Sequence, residues 1–331
     1  MNIEAKASVA GIFKKIEVLD KNGKLKKQLD PFNNLITNIG LDRLKTTGSS
    51  AGKDVYNICQ AGTGNSTPNV NDQSLDSFVA ASSTTTYSAN IVNIDDGYVA
   101  REVTYTFALG SIDNQNISEL ATAWSTSPEN SIFSRALVLD ALGNPTSITI
   151  LSDEQLRVTW EIRYYWPTED TVTVLENTGN KGGSYTVTVR PIEVGNWIAG
   201  GDNYHGIVWG NVLNGDDRSR VGFYHGPYTL VDPTSSKVTT NLIYGNEAFS
   251  VSNVATSERK IRGRNSFGLS QGNYADGIGG AYFLSGPTVQ GAGWPDSPTF
   301  CFQAKIDPPI MKDADSLMSI DFSISWDRKV L

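Results

Sequence analysis

Residues 156–166 show the clearest alternation of apolar and polar side chains in the sequence. The apolar positions are Leu156, Val158, Trp160, Ile162, Tyr164 and Trp166. Successive side chains of a β-strand point to opposite faces, so this spacing predicts one long strand with a broad apolar face directed into a core. Pro167 ends the strand, because proline has no N–H to donate to a neighbouring strand.

The N-terminal part of the sequence predicts a hairpin followed by short helices. Residues 11–29 predict a β-hairpin, because Asn22-Gly23 separates two runs with apolar residues and both residues tolerate positive φ angles. Residues 33–46 carry apolar residues at helical spacing and predict a short helix. Asp72 can cap a second short helix over residues 72–80. Downstream, valine, isoleucine, threonine and tyrosine fill the apolar runs, which favours strands.

A polar, turn-rich stretch between residues 167 and 183 predicts a domain boundary. The sequence thus predicts a mainly β fold: an N-terminal hairpin and helix over residues 1–50, and two β-sandwich-like domains over 51–175 and 176–331. The halves carry similar apolar patterns at offsets of 160 to 168 residues. The matching segments are 107–110 and 267–270, 117–120 and 278–281, 134–138 and 302–306, and 158–164 and 320–326. A tandem duplication is therefore one hypothesis.

The charge distribution disfavours one large class of function and suggests one kind of contact. The net charge is −8, which disfavours a general nucleic-acid binder, because phosphate recognition needs clustered Lys and Arg. Residues 1–45 hold nine basic and five acidic residues, a net +4, so the remainder carries −12. Residues 1–50 are therefore a candidate docking segment for an acidic body. A solvated, lysine-rich edge strand explains the same pattern and is favoured.

The cysteines and the hydropathy give expectations about location. Cys59 and Cys301 lie in apolar runs and are expected to be buried free thiols of a chain folded in a reducing cytosol; a disulfide between them is the alternative. The N-terminus lacks the apolar core of a signal peptide. No apolar run approaches the length of a membrane span, so no membrane insertion is expected.

Catalytic patterns are weak, and the sequence predicts no enzyme, no cofactor and no metal site. The two histidines, His205 and His225, are too few for a histidine-based metal site. The pattern GxSxG occurs around Ser50 and Ser270, but the first match follows a predicted helix, the reverse of the required context, and the second lies after both histidines, so the Ser–Asp–His order fails. Gly62-Thr63-Gly64 lacks the spacing of a phosphate loop. The pairs Asp95-Asp96 and Asp216-Asp217 predict solvated turns, with a calcium site as the alternative.

Five aromatic residues are close together in the sequence and provide the one binding signal. They are Tyr204, Trp209, Phe223, Tyr224 and Tyr228. Aromatic rings stack on sugars and anchor protein interfaces, so these residues are weak candidates for a glycan or interface site. The favoured interpretation is that they belong to a sandwich core.

Several segments occur in an order that one group of proteins shares. They are NNLITNIGLDRL at 33–44, the strand end Gly62–Pro68, the acidic stretch Asp72–Leu75, Asn116–Glu119, the block Ile132–Tyr165, and Tyr185–Pro191. Over roughly residues 10–195 the chain resembles tail-associated virion proteins of tailed bacteriophages. It departs from their pattern at Trp160, where the group has tyrosine. The resemblance brings no catalytic motif with it.

The resemblance implies a structural component of a virion tail: a collar, fibre, appendage or fibre-anchoring protein. Its expected partners are copies of itself and other virion tail or connector proteins, and its expected location is the virion after synthesis in the bacterial cytoplasm. The alternative is a receptor- or glycan-binding module at the tail periphery, with host cell-surface glycan as the partner. A tail-spike enzyme that degrades polysaccharide is disfavoured, because no β-helix repeat and no placed carboxylate pair is visible.

Overall fold

The computed structural model describes residues 1–44, 55–88, 91–177, 183–192, 194, 221–236, 238–244, 250–254, 259–285 and 300–331. The protein is mainly β, as predicted, with large antiparallel sheets and one short helix, α1 (Asn38–Arg43), in the described part. The strands are β1 (Asn2–Asp20), β2 (Leu25–Leu29), β3 (Phe32–Ile36), β4 (Ile58–Gly62), β5 (Phe78–Ser82), β6 (Thr85–Tyr87), β7 (Ile91–Asn93), β8 (Tyr98–Thr106), β9 (Gln115–Ile117), β10 (Glu119–Ala123), β11 (Ile132–Leu137), β12 (Ile148–Ile150), β13 (Glu154–Tyr165), β14 (Thr171–Asn177), β15 (Gly183–Ile192), β16 (Val221–Pro227), β17 (Leu242–Tyr244), β18 (Ser250–Val254), β19 (Lys260–Phe267), β20 (Ile278–Ser285), β21 (Phe300–Ile310) and β22 (Met318–Arg328).

Strand β1 joins the two halves of the chain. One of its edges pairs antiparallel with β13 along Ser8–Asp20. Its other edge pairs in succession with β22, β3 and β2, and the pairing of Asn2–Val9 with β22 is parallel. Ile3, Ala5 and Val9 alternate along this segment and are buried. Residues 1–20 are therefore part of the core, and the sheet around β1 contains strands from both of the sequence ranges that were expected to form separate sandwiches.

The predicted hairpin is present, with a longer first strand than expected. β1 and β2 pair antiparallel, and Gly23 in the turn has a φ of 79°, which glycine adopts without steric cost. The first strand begins at Asn2 instead of residue 11, because β22 extends the pairing to the N-terminus.

Strand β13 has the buried face that its alternation predicts. Trp160, Ile162, Tyr164 and Trp166 are all buried. The opposite face is also partly covered: Glu161 is buried and accepts a hydrogen bond of 2.6 Å from Arg163 Nε. β13 is therefore an interior strand with β1 on one side and β8 on the other.

One predicted helix is present over a shorter range than expected, and the other is absent. Residues 33–36 belong to β3, and α1 begins only after Thr37, whose hydroxyl accepts a hydrogen bond of 3.0 Å from Gly40 N. No helix forms over residues 72–80, where Phe78 begins β5. Asp72 does not cap a helix, because its carboxylate accepts a hydrogen bond of 2.7 Å from Arg135. Pairing with neighbouring strands overrides the local helical spacing.

The two halves have the same strand order. The sequence of neighbours in the first half is β1-β3-β11-β10-β4-β5, and in the second half it is β14-β15-β21-β20-β16-β17. One further pair corresponds: β8 pairs with β13 as β19 pairs with β22. Each half thus has one larger and one smaller antiparallel group of strands.

The register also corresponds. Leu120 pairs with Ala136, and the positions matched to them by sequence, Ala281 and Ala304, pair in the same way. Thr106 pairs with Arg157 as Ser266 pairs with Ser319. Different strand orders would have contradicted the duplication hypothesis. The shared order and register support it, and common descent remains a hypothesis.

Candidate functional site

The aromatic residues that the sequence singled out do not form a surface site in the described part of the chain. Phe223 is buried, with its ring centroid 5.0 Å from Phe267. Tyr224 and Tyr228 are buried and stacked at 4.3 Å. Tyr204 and Trp209 lie outside the described residues. The three described rings pack in the interior of the second half and do not present a face for a sugar.

The other residues considered for chemistry are dispersed. Cys59 is a buried free thiol, and burial raises its pKa. His225 Nδ1 lies 3.1 Å from a carboxylate oxygen of Asp276. His205, Ser50 and the pair at 216–217 lie outside the described residues, as does the side chain of Cys301. In the part of the chain that the structure describes, no group of three or more His, Cys, Asp or Glu could hold a metal ion, and no helix could cross a membrane.

A buried ion pair joins two neighbouring strands. Arg135 on β11 and Glu119 on β10 are almost completely buried, and the Arg135 Nη2 atom lies 2.8 Å from Glu119 Oε2. Arg135 also contacts Asp72 at 2.7 Å and Asp76 at 2.9 Å. A buried charge needs such partners, because an unpaired one carries a large desolvation penalty.

This ion pair fixes the loop between β4 and β5. Glu119 accepts hydrogen bonds of 2.9 Å from the backbone amides of Gly64 and Ser77. Burial raises the pKa of Asp76, but the Ser66 hydrogen bonds and the Arg135 guanidinium outweigh that effect, so the pKa lies below the ordinary aspartate value. The loop at residues 63–77 is therefore held against the sheet by charged contacts.

The fixed loop forms one wall of a polar groove, which we call the amide groove. It has a volume of about 580 Å³ and is lined by ten residues, none of them charged. Four carry a carboxamide and four a hydroxyl, and the other two are Leu137 and Pro145. The opposite wall consists of residues 114–116, which include the start of β9, and of residues 145–147, which lead into β12, the partner of β9.

A second feature of the surface is the outer edge of β14. This strand pairs with β15 along Thr171–Asn177 without a register shift and has no strand on its other side in the described part of the chain. Val172 and Val174 project from one face with 59% and 60% of their surface exposed. Asp170, just before the strand, is hydrogen-bonded to Arg190, which lowers the pKa of the Asp170 carboxyl.

Comparison with known proteins adds no relative: no family model, curated protein or solved structure matches the chain. Sequence reasoning did not identify the ion pair, the groove or the open edge. One signal for the ion pair was present, because Glu119 and Arg135 are charged residues inside runs that otherwise read as buried strands.

Proposed function

We propose that this protein is a non-enzymatic structural subunit of a bacteriophage virion, associated with the tail, that assembles with copies of itself and with other tail or connector proteins. The observation that carries the assembly function is the open edge of β14. The tail assignment rests on the resemblance of residues 33–44, 132–165 and the other segments quoted above.

The edge of β14 lacks the features that normally prevent strands from pairing between molecules. Native edge strands carry lysine, proline or bulges for this purpose. β2 has such features: Lys26 and Lys27 lie on it, and its pairing with β1 is interrupted by a register shift. Residues 171–177 contain no lysine and no proline, and their register with β15 is continuous. Strand addition at β14 is therefore the contact that the surface supports best.

The first half shows how such a strand is covered within the chain. The position that corresponds to β14 is held by β1, which has neighbours on both edges. A second copy of the chain can supply the missing neighbour by antiparallel pairing of β14 with its counterpart. An antiparallel pairing centred on Val174 places Glu176 opposite Val172 of the other copy, so these carboxylates do not face each other. Such an interface is isologous and closes as a dimer.

The test is the molar mass of the full chain with both valines replaced. Lysine on an edge strand opposes pairing, so Val172→Lys combined with Val174→Lys is expected to convert the oligomer to a smaller species in light scattering. Both side chains are largely exposed, so the unfolding free energy should change by less than about 0.5 kcal/mol per site. The matched control is Leu142→Lys, because Leu142 is 86% exposed and belongs to the turn between β11 and β12 in the first half.

Two outcomes contradict the assembly proposal: a wild-type chain that is monomeric up to high concentration, or an oligomer that the paired lysines leave unchanged. The virion assignment has its own test. Antibodies against the purified chain should label the tails of particles from the bacterium that produces it. Absence of the chain from purified particles by mass spectrometry would rule the assignment out.

The alternative function, recognition of a host glycan, does not rest on Phe223, Tyr224 and Tyr228, because these rings are buried. The amide groove is the feature that favours a ligand-binding role.

A further inference from the structure

We propose that the amide groove binds a neutral glycan segment, which is a ligand function beyond the assembly of subunits. The volume of about 580 Å³ lies within the range of about 300–1,000 Å³ typical of small-ligand sites. The groove lies in the first half, between the loop at residues 63–77 and the segments 114–116 and 145–147.

The chemistry of the lining matches hydroxyl groups. Carboxamides such as those of Asn65 and Asn116 offer both donors and acceptors, and the hydroxyls of Thr63 and Ser147 do the same. A sugar hydroxyl is likewise donor and acceptor at once. Pro145 and Leu137 add a small apolar surface for the C–H face of a ring.

The same lining disfavours charged ligands. An anion that leaves water needs a cationic partner, and none of the ten lining residues is cationic. The overall net charge of −8 adds a further unfavourable field for anions. A cation would need converging carboxylates, and the lining contains none. These facts together favour a neutral, polyhydroxylated ligand.

The walls of the groove are fixed in position. Ser118 Oγ donates a hydrogen bond of 2.7 Å to Gly64 O, and Gly64 N donates to the buried Glu119. On the other wall, Thr149 Oγ1 donates to Asn116 Oδ1 at 2.6 Å, across the β9–β12 pair. A preorganised site loses little conformational entropy on binding, which favours even a small polar ligand.

The turn before β9 directs one further amide to this site. Asn114 has a φ of 52°, in the left-handed region that few residues other than glycine adopt. Its Nδ2 atom donates to Asp113 at 2.8 Å. That bond uses one of the two N–H donors of the amide, and the carbonyl oxygen can accept from a ligand hydroxyl.

At the corresponding place in the second half, the two backbone segments approach each other more closely. There, Gly226 N donates to Gly277 O at 2.8 Å, and a Cβ atom on Gly279 would lie only 2.1 Å from Gly226 O. Gly279 is the counterpart of Ser118, whose side chain spans the gap in the first half. The spacing between these two segments therefore differs between the halves, although the order of the strands is the same.

The experiment is saturation-transfer NMR on the full chain. The probes are neutral trisaccharides built from glucose, galactose, mannose or N-acetylglucosamine, with 3′-sialyllactose as the acidic comparison. At least one neutral trisaccharide is expected to bind at about 1–10 mM, the affinity of a small polar site, and 3′-sialyllactose is expected to give no signal.

The variants are Asn65→Ala combined with Asn114→Gly, and separately Ser147→Trp, which fills the groove. Glycine at 114 keeps the positive φ angle, so the turn is preserved. Both variants are expected to abolish the signal while circular dichroism and thermal transition stay those of the wild type. The control Gln28→Ala removes an exposed amide elsewhere and should bind normally.

The proposal is overturned if no neutral trisaccharide binds, if 3′-sialyllactose binds as well as the neutral sugars, or if folded groove variants keep the signal. The chain carrying lysine at 172 and 174 should bind the sugar as the wild type does. This separates a failure of the groove from a failure of the assembly proposal.

Discussion

Two buried positions carry charged residues in the first half, whereas the corresponding positions in the second half carry neutral residues. Arg135 on β11 corresponds to Gln303 on β21, and Glu119 on β10 corresponds to Gly280 on β20. Both Arg135 and Gln303 are buried, and both hold the segment that follows a neighbouring strand. An ion pair in the first half and an amide in the second thus hold corresponding segments in place.

In the second half, the buried amide of Gln303 is held partly by a tyrosine. Gln303 Oε1 accepts hydrogen bonds of 3.0 Å from Tyr228 Oη and 2.9 Å from Val231 N, and Gln303 Nε2 donates to Val231 O. A Cβ atom on Gly280 would lie 2.4 Å from the Tyr228 ring. The ring thus occupies the space that the Glu119 side chain fills in the first half.

The halves differ most in how β13 and its counterpart β22 pair with β1. β13 pairs antiparallel with β1, whereas β22 pairs parallel with the beginning of the same strand. β14, the counterpart of β1 in the second half, has no such neighbour in the described chain. One strand therefore completes both halves, and neither half is expected to fold alone.

The largest expected effect comes from deleting residues 1–9. This removes the neighbour of β22 and the buried side chains Ile3 and Val9, and burial of each such residue contributes about 1.5–3 kcal/mol. The deletion also removes the backbone hydrogen bonds between β1 and β22. Together these losses should destabilise the second half by more than about 5 kcal/mol. Hydrogen exchange should show loss of protection in β19 and β22 before β8.

If the truncated chain does not fold at all, Ile3→Ala tests the same point, with an expected cost of about 2–5 kcal/mol. Equal loss of protection in β8 and β19 would contradict the separate dependence of the second half on residues 1–9.

The next effect concerns two corresponding core residues, Trp160 and Phe322. Both are fully buried: the Trp160 ring lies 5.2 Å from Tyr56, and the Phe322 ring lies 4.7 Å from Phe283. Replacing either by alanine should cost about 3–5 kcal/mol in urea unfolding. An exposed pair such as Leu142→Ala and Leu317→Ala provides the control. A cost below about 1 kcal/mol at one site only would show that the halves are not equally packed.

Effects of similar or smaller size test the buried ion pair of the first half against the neutral amide of the second. Arg135→Gln introduces the residue found in the second half but leaves Glu119 buried and unpaired, so it should cost about 3–5 kcal/mol. Gln303→Ala should cost about 1–3 kcal/mol, because the lost partners are neutral. Adding Glu119→Ala to Arg135→Gln should recover part of the loss in urea unfolding. No recovery would mean that Glu119 acts mainly through its backbone hydrogen bonds.

Strands could be predicted from the sequence where apolar and polar residues alternate regularly, because this pattern indicates a strand whichever neighbour it pairs with. Residues 156–166 and the Asn22-Gly23 turn specify their conformation locally, so both predictions are confirmed. The helix predicted at 33–46 is shorter in the structure, because the spacing of its apolar residues also fits a strand followed by one helical turn. Pairing of β3 with β11 makes the first residues a strand, and Thr37 caps the helix that follows, so the helix begins only at Asn38.

The role of residues 1–20 could not be predicted, because parallel pairing with the last strand of the chain has no local sequence signal. For the same reason the amide groove was missed. Its residues come from four separate parts of the sequence, 63–65, 114–118, 137 and 145–147, and only the fold brings them together.

The smallest effect is a difference in acid sensitivity between the two loops. The folded-state pKa of Asp76 lies below its ordinary value, so the ionised carboxylate contributes stability above about pH 4, and this contribution is lost as the pH falls through the folded-state pKa. The contact of Gln303 with Tyr228 and Val231 has no titrating group in this range. Asp232 nearby also has a lowered pKa, mainly through hydrogen bonds from Thr234, but does not contact Gln303. Protection of residues 63–77 against hydrogen exchange should therefore fall more steeply on acidification than that of residues 228–231.

The effect is modest, because Asp76 is about one-third exposed and solvent screens its charge. Asp76→Asn should make the acid dependence of the first loop shallower, and parallel loss of protection in the two loops would show that the charged anchor has no separate influence on stability.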